Sequence, residues 1–274
     1  MSGPVLVGVD GSTTSMVAVE AAAREADRRG AELRLAYACA WPSASVTPGV
    51  APWDPGGTRG HDAANRALAE AGRRARRVAP GLRVTHTVLM GEPAAVLETE
   101  SHGASLTVVG SRPAGRSGGG RRGSVAARLA RCGGSPVLMV RGGPDPTGPV
   151  VLACDDGHLR RHAAEFAFGE AAARETDVLV LDGSALRSGR VQDRPRDPLA
   201  ALRERYPDIT VRHPRVRGGT RRAVIEASGF AQLVVIGARC RSGWTAALPP
   251  TVGRAALRHA GCPVAVIPEE RDTR

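Results

Sequence analysis

The sequence predicts an α/β protein built from two tandem doubly wound domains, each with a five-stranded parallel sheet and helices on both faces. Three observations support this prediction. Short runs rich in valine and leucine alternate with longer stretches rich in alanine, arginine and leucine at helical spacing, which is the pattern of βαβ units. The short runs are apolar throughout, as expected for strands covered on both faces. The second half of the chain also restates the first.

A constant offset relates the two halves. Paired positions near the ends of the halves lie 127 residues apart, and a pair near their starts lies 145 residues apart. The difference of 18 residues predicts an extra loop in the first half, at residues 41–62, which are rich in proline, glycine and serine. The pairs are Gly110 and Gly237, Gly134 and Gly261, Pro136 and Pro263, and Asp10 and Asp155.

The segment between the halves marks the domain boundary. Its sequence, GGPDPTGP at residues 142–149, suits neither a helix nor a central strand. We therefore predict one domain at residues 1–143, a linker at 144–149 and a second, degenerate domain at 150–274. Each half then has about the commonest domain size.

Each half is predicted to contain five strands, with helices filling the gaps between them. In the first half the strands are valine- and leucine-rich runs and the helices are the intervening stretches of helical spacing. The predicted strands cover residues 5–9, 32–38, 83–89, 105–109 and 136–140, and the helices cover 14–29, 62–79, 93–102 and 124–131. In the second half the strands are predicted to begin near residues 150, 177, 209, 233 and 263.

The charge of the chain excludes several kinds of site. The 38 basic residues against 27 acidic ones give a formal net charge of +11, and every basic residue is arginine. Without lysine the chain cannot form a P-loop, a Schiff base or a kinase-type lysine pair. The positive surplus predicts attraction to phosphate-bearing partners.

The arginine-rich run at residues 73–77 is read as the solvated face of a helix. Aromatic residues make up 3% of the chain, whereas proteins that bind single-stranded nucleic acids interleave basic residues with stacking rings. A nucleic-acid role therefore rests on charge alone, and nucleic acid is not among the predicted partners.

Composition also predicts where the protein acts. No apolar run approaches the roughly 20 residues of a membrane span, and the first residues do not resemble a secretory signal. Five cysteines without C-x-x-C spacing favour neither a disulfide framework nor a zinc site. We expect a cytoplasmic protein without a membrane partner, in which Cys39, Cys132 and Cys262 are buried, inert thiols.

Two loops at the carboxyl ends of the predicted strands could bind a ligand. Asp10 to Thr13 follow the first strand, where they can cap a helix, or where a carboxylate can accept hydrogen bonds from an exocyclic amine or a ribose. Residues 110–124 follow the fourth strand, and their glycines and arginines suit a polyphosphate, although a plain surface loop is the alternative. Gly118, Gly120 and Gly123 match G-x-G-x-x-G, but too far from the strand for a dinucleotide fingerprint.

Together these features resemble the universal stress protein family, whose domains have an adenine-nucleotide-hydrolase-like fold. The family's strand followed by V-D-G-S is present at residues 9–12, its G-x-P at 91–93 and its S-P-V at 135–137. The nucleotide signature G-x2-G-x9-G-[ST] matches at three of four positions, with proline in place of the second glycine. These positions are Gly110, Pro113, Gly123 and Ser124.

The resemblance implies a nucleotide site in the first half, with ATP as the ligand and Mg as an accompanying ion. Adenine would lie against Asp10 and Ala38, with the phosphates on the loop at residues 110–124. Pro113 removes one backbone N–H from that loop, and neighbouring arginines could compensate. The implied binding residues are Gly8, Val9, Asp10, Ser12, Ala38, Gly110, Arg112, Gly123, Ser124 and Val125.

The second half departs further from the family pattern. It keeps Asp155, but Gly-Ser becomes Asp156-Gly157, and an extra carboxylate repels phosphate. We predict that this half binds no nucleotide and packs against the first, and homodimer formation stays open. Its signature positions are Gly237, Cys240, Pro250 and Thr251, of which only the first glycine and the hydroxyl match.

The function predicted from the sequence is that of a stress-response regulatory protein that binds ATP in its first domain and uses its second domain structurally. The alternative is a ligand-free interaction or dimerisation module in which both nucleotide sites have decayed, as Pro113 and Pro250 suggest. No nucleophile, base or paired carboxylates can be assembled, so we expect at most weak ATP hydrolysis. His158, His162 and Glu165 share one helix face and are read as solvated polar residues, not metal ligands.

Overall fold

A computed structural model describes most of the chain. The described residues are 3–39, 55–111, 125–142, 147–154, 159–182, 198–214, 216, 219–239 and 252–269. Contacts divide the chain into two compact units. Unit 1 comprises Met1–Leu129 and Gly133–Val140, and unit 2 comprises Ala130–Cys132 and Arg141–Arg274.

Unit 1 contains a parallel sheet of five strands in the order β3-β2-β1-β4-β5. The chain therefore runs outward from β1 through β2 to β3 and then crosses back to β4 and β5. The elements in chain order are β1 (Val5–Val9), α1 (Thr13–Arg28), β2 (Leu33–Cys39), α2 (Pro55–Val78), β3 (Val84–Met90), α3 (Pro93–Ser101), β4 (Leu106–Gly110), α4 (Val125–Cys132) and β5 (Val137–Val140).

Local sequence explains where the helices of unit 1 begin. The hydroxyl of Ser12 accepts a hydrogen bond from the backbone N–H of Ser15 and so caps α1. The carboxylate of Glu92 caps α3 in the same way, accepting from the N–H of Ala95, and Pro93 occupies the first helical position. Because the crossovers reverse direction after β3, α1 and α2 cover one face of the sheet and α3 covers the other.

Unit 2 repeats this architecture with a parallel sheet in the order β10-β9-β6-β7-β8. Its outermost described strand, β8, has two residues, and the helix that the structure describes between β7 and β8, α6, has six. The elements are β6 (Val150–Cys154), α5 (Arg161–Ala173), β7 (Val178–Asp182), α6 (Ala200–Arg205), β8 (Val211–Arg212), α7 (Thr220–Ala227), β9 (Leu233–Arg239), α8 (Val252–His259) and β10 (Val264–Glu269).

The core of each unit consists mainly of aliphatic side chains between sheet and helices. The strands β1, β4 and β6 are almost fully buried along their length, which is the pattern of strands covered on both faces. The predicted fold class is therefore confirmed. Within the part of the chain that the structure describes, no helix is both long and apolar enough to cross a membrane.

Contacts outside the strands repeat between the units as well. The buried hydroxyl of Ser101 accepts a hydrogen bond from Gly134 N at 2.8 Å, and that of Ser228 accepts one from Gly261 N at 2.9 Å. Buried Glu25 likewise pairs with Arg29, and buried Glu170 pairs with Arg174. These pairs follow the offsets of 127 and 145 residues. The repeat thus extends to single hydrogen bonds and ion pairs.

One element boundary was predicted wrongly. The sequence placed the second helix at residues 62–79 and assigned residues 41–62 to a loop, whereas α2 begins at Pro55. Proline is tolerated in the first turn of a helix, where its missing N–H has no intrahelical partner, so Pro55 does not prevent an early start. The other strands and helices of unit 1 begin and end within about two residues of their predicted bounds.

The turn after the first helix of each unit predicts a stabilising substitution. Gly30 and Glu175 occupy equivalent positions with positive φ angles of 59° and 52°, and both side-chain positions are exposed. A non-glycine residue pays about 1–2 kcal/mol for this conformation, more than the 0.5–1 kcal/mol of extra backbone entropy that glycine loses on folding. We expect Glu175→Gly to stabilise the protein by about 0.5–1 kcal/mol and Gly30→Glu to destabilise it by a similar amount. Urea denaturation of both variants checks this, and a lower midpoint for Glu175→Gly would contradict it.

Candidate functional site

The candidate site lies at the carboxyl edge of the sheet of unit 1, beside β1 and β4. The chain leaves β1 toward β2 on one side, and the later crossover arrives at β4 on the other side. In open α/β sheets the crossovers separate at such a switch point and leave a crevice in which ligands bind. The topology alone therefore predicts a ligand-binding crevice at this edge of the sheet.

Strand register brings three of the predicted binding residues to this edge. Val9 pairs with Tyr37, so Asp10 and Ala38 each lie one residue beyond a paired position. Val7 pairs with Val108, which places Gly110 level with the end of β1 on its other side. Residues more than 70 positions apart in the sequence thus meet at one edge, as the strand-end argument predicted.

The turn after β1 is held by its own polar side chains. Oδ1 of Asp10 accepts hydrogen bonds from the backbone N–H of Ser12 at 3.0 Å and from its hydroxyl at 2.6 Å. Gly11 adopts a φ of +78°, which favours glycine, and the hydroxyl of Ser12 also caps α1. The helix-capping interpretation of this loop is confirmed, and the carboxylate of Asp10 stands exposed at the edge of the sheet.

Two of the predicted binding residues have packing roles that the sequence did not reveal. A Cβ on Gly110 would lie 2.5 Å from the backbone oxygen of Thr14, so only glycine lets the end of β4 approach the first turn of α1. A Cβ on Gly8 would lie 3.0 Å from Cδ1 of Leu97, on the α3 face of β1. Val9, at the end of β1, is buried. The first glycine of the signature therefore has a structural explanation of its own.

An arginine clamp fixes the start of α4 against α3. Nε of Arg128 lies 2.8 Å from the carboxylate of Glu98, and Nη1 lies 3.3 Å from that of Glu92. Val125, the first residue of α4, lies three positions before Arg128 and is half-buried. The clamp is absent from the equivalent sequence positions of the second half, which hold Ala255, Ile225 and Gly219. It restrains the residues that follow the predicted phosphate loop.

The central part of the predicted phosphate loop lies outside the described residues. This holds for Arg112, Gly123 and Ser124, and for Pro113. In the second half, Asp155 to His158 and Cys240 to Thr251 also lie outside the described residues. The second half does show how its own switch point is packed, because a Cβ on Gly237 would clash with Cγ of Arg160.

The cysteines differ in their surroundings. Burial raises the pKa of the Cys262 thiol to about 11, so this thiol is protonated at neutral pH, as expected for an inert cysteine. Cys39 is only half-buried, at the end of β2, and Cys132 is exposed at the end of α4. The expectation that Cys132 is buried is therefore wrong, because the last residue of α4 faces outward.

The polar face of α5 is used for an ion pair. Glu165 accepts a hydrogen bond from Nε of Arg161 at 2.8 Å, four residues earlier on an exposed helix face. The described residues contain no cluster of three or more histidine, cysteine or acidic side chains that could hold a metal ion. His158 lies outside the described residues.

Comparisons with known proteins agree on one family. A sequence model described as the universal stress protein family matches residues 1–141. Universal stress protein Rv2623 of Mycobacterium tuberculosis (strain ATCC 25618 / H37Rv) is 31% identical over 293 residues, covering 97% of this chain and 96% of that protein. Universal stress protein Rv2005c of the same strain is 30% identical over 289 residues, covering 96% of each. The crystal structure of a universal stress protein from Archaeoglobus fulgidus DSM 4304 has a TM-score of 0.75 at 16% identity, covering 98% of this chain and 100% of that chain, a likeness of fold.

Proposed function

The chain belongs to the universal stress protein family, and from that premise we propose that it is a stress-response regulatory protein that binds ATP in its first half. The observation that carries the proposal is the meeting of Asp10, Ala38 and Gly110 at the switch point of unit 1. The glycine- and arginine-rich segment at residues 112–124 continues from this point. In this proposal the second half is structural, and the protein acts in the cytoplasm.

The electrostatics of this edge suit a nucleotide. The helices α1 and α4 both begin on the carboxyl side of strands that flank the switch point, so their N-termini place partial positive charge near it. Four arginines in residues 112–124 add full charge for a polyphosphate. The exposed carboxylate of Asp10 supplies an acceptor for an exocyclic amine or a ribose hydroxyl, the groups that distinguish a nucleoside from bare phosphate.

The proposed contacts divide between a nucleoside end and a phosphate end. The nucleoside end is formed by the turn after β1 and by Ala38, and the phosphate end by the loop that leads into α4. An accompanying Mg ion would be held chiefly by the phosphates, as is usual for this ion. The proposed residues are Gly8, Val9, Asp10, Ser12, Ala38, Gly110, Arg112, Gly123, Ser124 and Val125.

Isothermal titration calorimetry with ATP tests this function. The protein is first checked by mass spectrometry and absorbance for nucleotide that copurifies with it. We expect about one ATP per chain, and we expect Gly123→Asp to abolish binding because it adds a carboxylate beside the phosphates. Pro250→Asp at the equivalent position of the second half is the matched control and should leave binding unchanged.

Three outcomes would contradict the proposal. If Gly123→Asp binds ATP as tightly as the wild type, the loop at residues 112–124 is not the phosphate site. If the wild type neither binds ATP nor carries nucleotide, a ligand-free interaction module becomes the better interpretation, as the prolines at positions 113 and 250 of the signature suggest. If only Pro250→Asp lost ATP binding, the ATP site would have to be assigned to the second half.

A further inference from the structure

A concentration of exposed positive charge lies on α2. Four exposed arginines, Arg66, Arg73, Arg76 and Arg77, form what we call the α2 arginine row. Positions 66, 73 and 77 follow one line along the helix, and position 76 lies next to it. The row is about 16 Å long, from eleven residues at 1.5 Å each. It is a positive strip that is interrupted on the same line by Glu70, which pairs with Arg73.

Most of the row is not neutralised. Among the residues that the structure describes, Arg66, Arg76 and Arg77 form no ion pair, and Arg83, exposed just after α2, forms none either. Glu70 is the acidic residue within the row, and hydrogen bonds from Arg74 and Arg73 lower its pKa. Three of the four guanidinium groups of the row therefore have no carboxylate partner among the described residues, which favours an anionic partner.

The row can attract a partner by charge alone. The apolar residues of α2, Ala64, Leu68, Ala71 and Ala75, are buried in unit 1 and are not available to insert into a membrane. The exposed large apolar residues of the described chain, Val17, Met90 and Phe230, lie on other elements. A protein partner normally needs an aromatic or aliphatic anchor, so neither a lipid surface nor a protein groove fits this strip.

We propose that the α2 arginine row binds the phosphodiester backbone of a nucleic-acid duplex without reading its sequence. A guanidinium group can donate two parallel hydrogen bonds to one phosphate, and a duplex presents one charge per about 1.7 Å of its axis, so several phosphates fall within the row. No aromatic residue stands in the row to stack on unpaired bases, which favours a duplex over a single strand. The proposal therefore rests on more than the net charge, because the structure places the four arginines on one side of a helix.

This surface is separate from the proposed nucleotide site. The crossover helix α2 runs from the carboxyl edge of the sheet back to its amino edge, so Arg76 and Arg77 lie at the end far from the switch point. Loss of duplex binding and loss of ATP binding can therefore be distinguished in the same variants.

Fluorescence anisotropy with labelled 20-base-pair DNA and RNA duplexes at 50 and 200 mM salt tests the proposal. The row variant is R66Q/R76Q/R77Q, which retains the Glu70 pairs that support α2. The matched control is R221Q/R254Q/R258Q, three exposed arginines of unit 2, and both variants lower the net charge of +11 by three. We expect the row variant to bind about tenfold more weakly at 50 mM salt and to reduce the salt slope by about 3, and the control to stay within about twofold of wild type.

Each outcome decides the proposal. Equal loss in both variants would overturn it, because net charge and not the row would then be responsible. No binding by the wild type at 50 mM salt, or equally tight binding of polyglutamate, would also overturn it. Binding to both duplexes supports the shared backbone chemistry, and binding to only one supports the proposal and identifies the source as DNA or RNA. If the wild type binds ATP, an unchanged ATP titration of the row variant confirms that the variant is folded. If the wild type does not bind ATP, far-UV circular dichroism confirms that the variant is folded.

Discussion

Phe168→Ala is expected to destabilise unit 2 by about 3–5 kcal/mol, the usual cost of removing a fully buried aromatic ring. Phe168 lies on α5 with none of its surface exposed, and its ring centroid is 5.9 Å from that of Tyr206 at an interplanar angle of 43°. The substitution removes this ring contact and leaves a cavity in a core otherwise made mainly of aliphatic side chains. Native-state hydrogen exchange of peptides from β6 and β9 would measure the loss.

The matched position in unit 1 explains why the loss should be large. Ala23 stands at the position equivalent to Phe168 and is also fully buried, in a unit whose second helix has 24 residues. Among the described residues of unit 2, the helix between β7 and β8 has six residues, and Tyr206 directly follows it. Because the ring of Phe168 is fully buried and packs against that of Tyr206, alanine at position 168 would leave the space of the ring empty.

Phe230→Ala is the control for this prediction. Phe230 is 55% exposed, and its truncation should change the free energy of unfolding by no more than about 0.5 kcal/mol. Equal effects of the two substitutions would show that burial of Phe168 is not what stabilises unit 2.

Gly110→Ala is expected to destabilise unit 1 by about 1–3 kcal/mol, the range for overpacking a tight contact. The added Cβ would lie 2.5 Å from the backbone oxygen of Thr14 and 2.8 Å from its carbonyl carbon. Backbone atoms cannot rotate away as a flexible side chain does, so α1 or β4 must shift. The shift would also displace the turn of Asp10 and Ser12, and ATP affinity should fall with stability. Urea denaturation and ATP titration of the same variant measure both effects.

Gly81→Ala provides the comparison for Gly110→Ala. A Cβ at position 81 would meet no atom within 4 Å, so alanine should be neutral there or should stabilise by up to about 1 kcal/mol. If Gly110→Ala is as stable as Gly81→Ala and still loses ATP, the glycine acts at the ligand and not in helix packing. That result would overturn the packing role given to Gly110.

The candidate site was predictable in part. Asp10, Ala38 and Gly110 could be placed together because parallel strands end at the same edge, a rule that needs only the strand positions. The clamp of Arg128 on Glu92 and Glu98 could not be predicted, because it joins side chains 30 and 36 residues apart whose meeting depends on how α4 packs against α3. The packing role of Gly110 was hidden for the same reason.

The sequence by itself determined the fold class, the two-fold repeat and the order of nearly every strand and helix. Apolar periodicity and the spacing of matching residues can be recognised in the sequence without knowledge of tertiary contacts. Only the tertiary structure decided that α2 starts at Pro55, that Glu175 adopts a left-handed conformation, and that a ring fills the core of unit 2. The burial of Phe168 depends on packing against elements distant in the sequence, such as Tyr206, which apolar periodicity does not report.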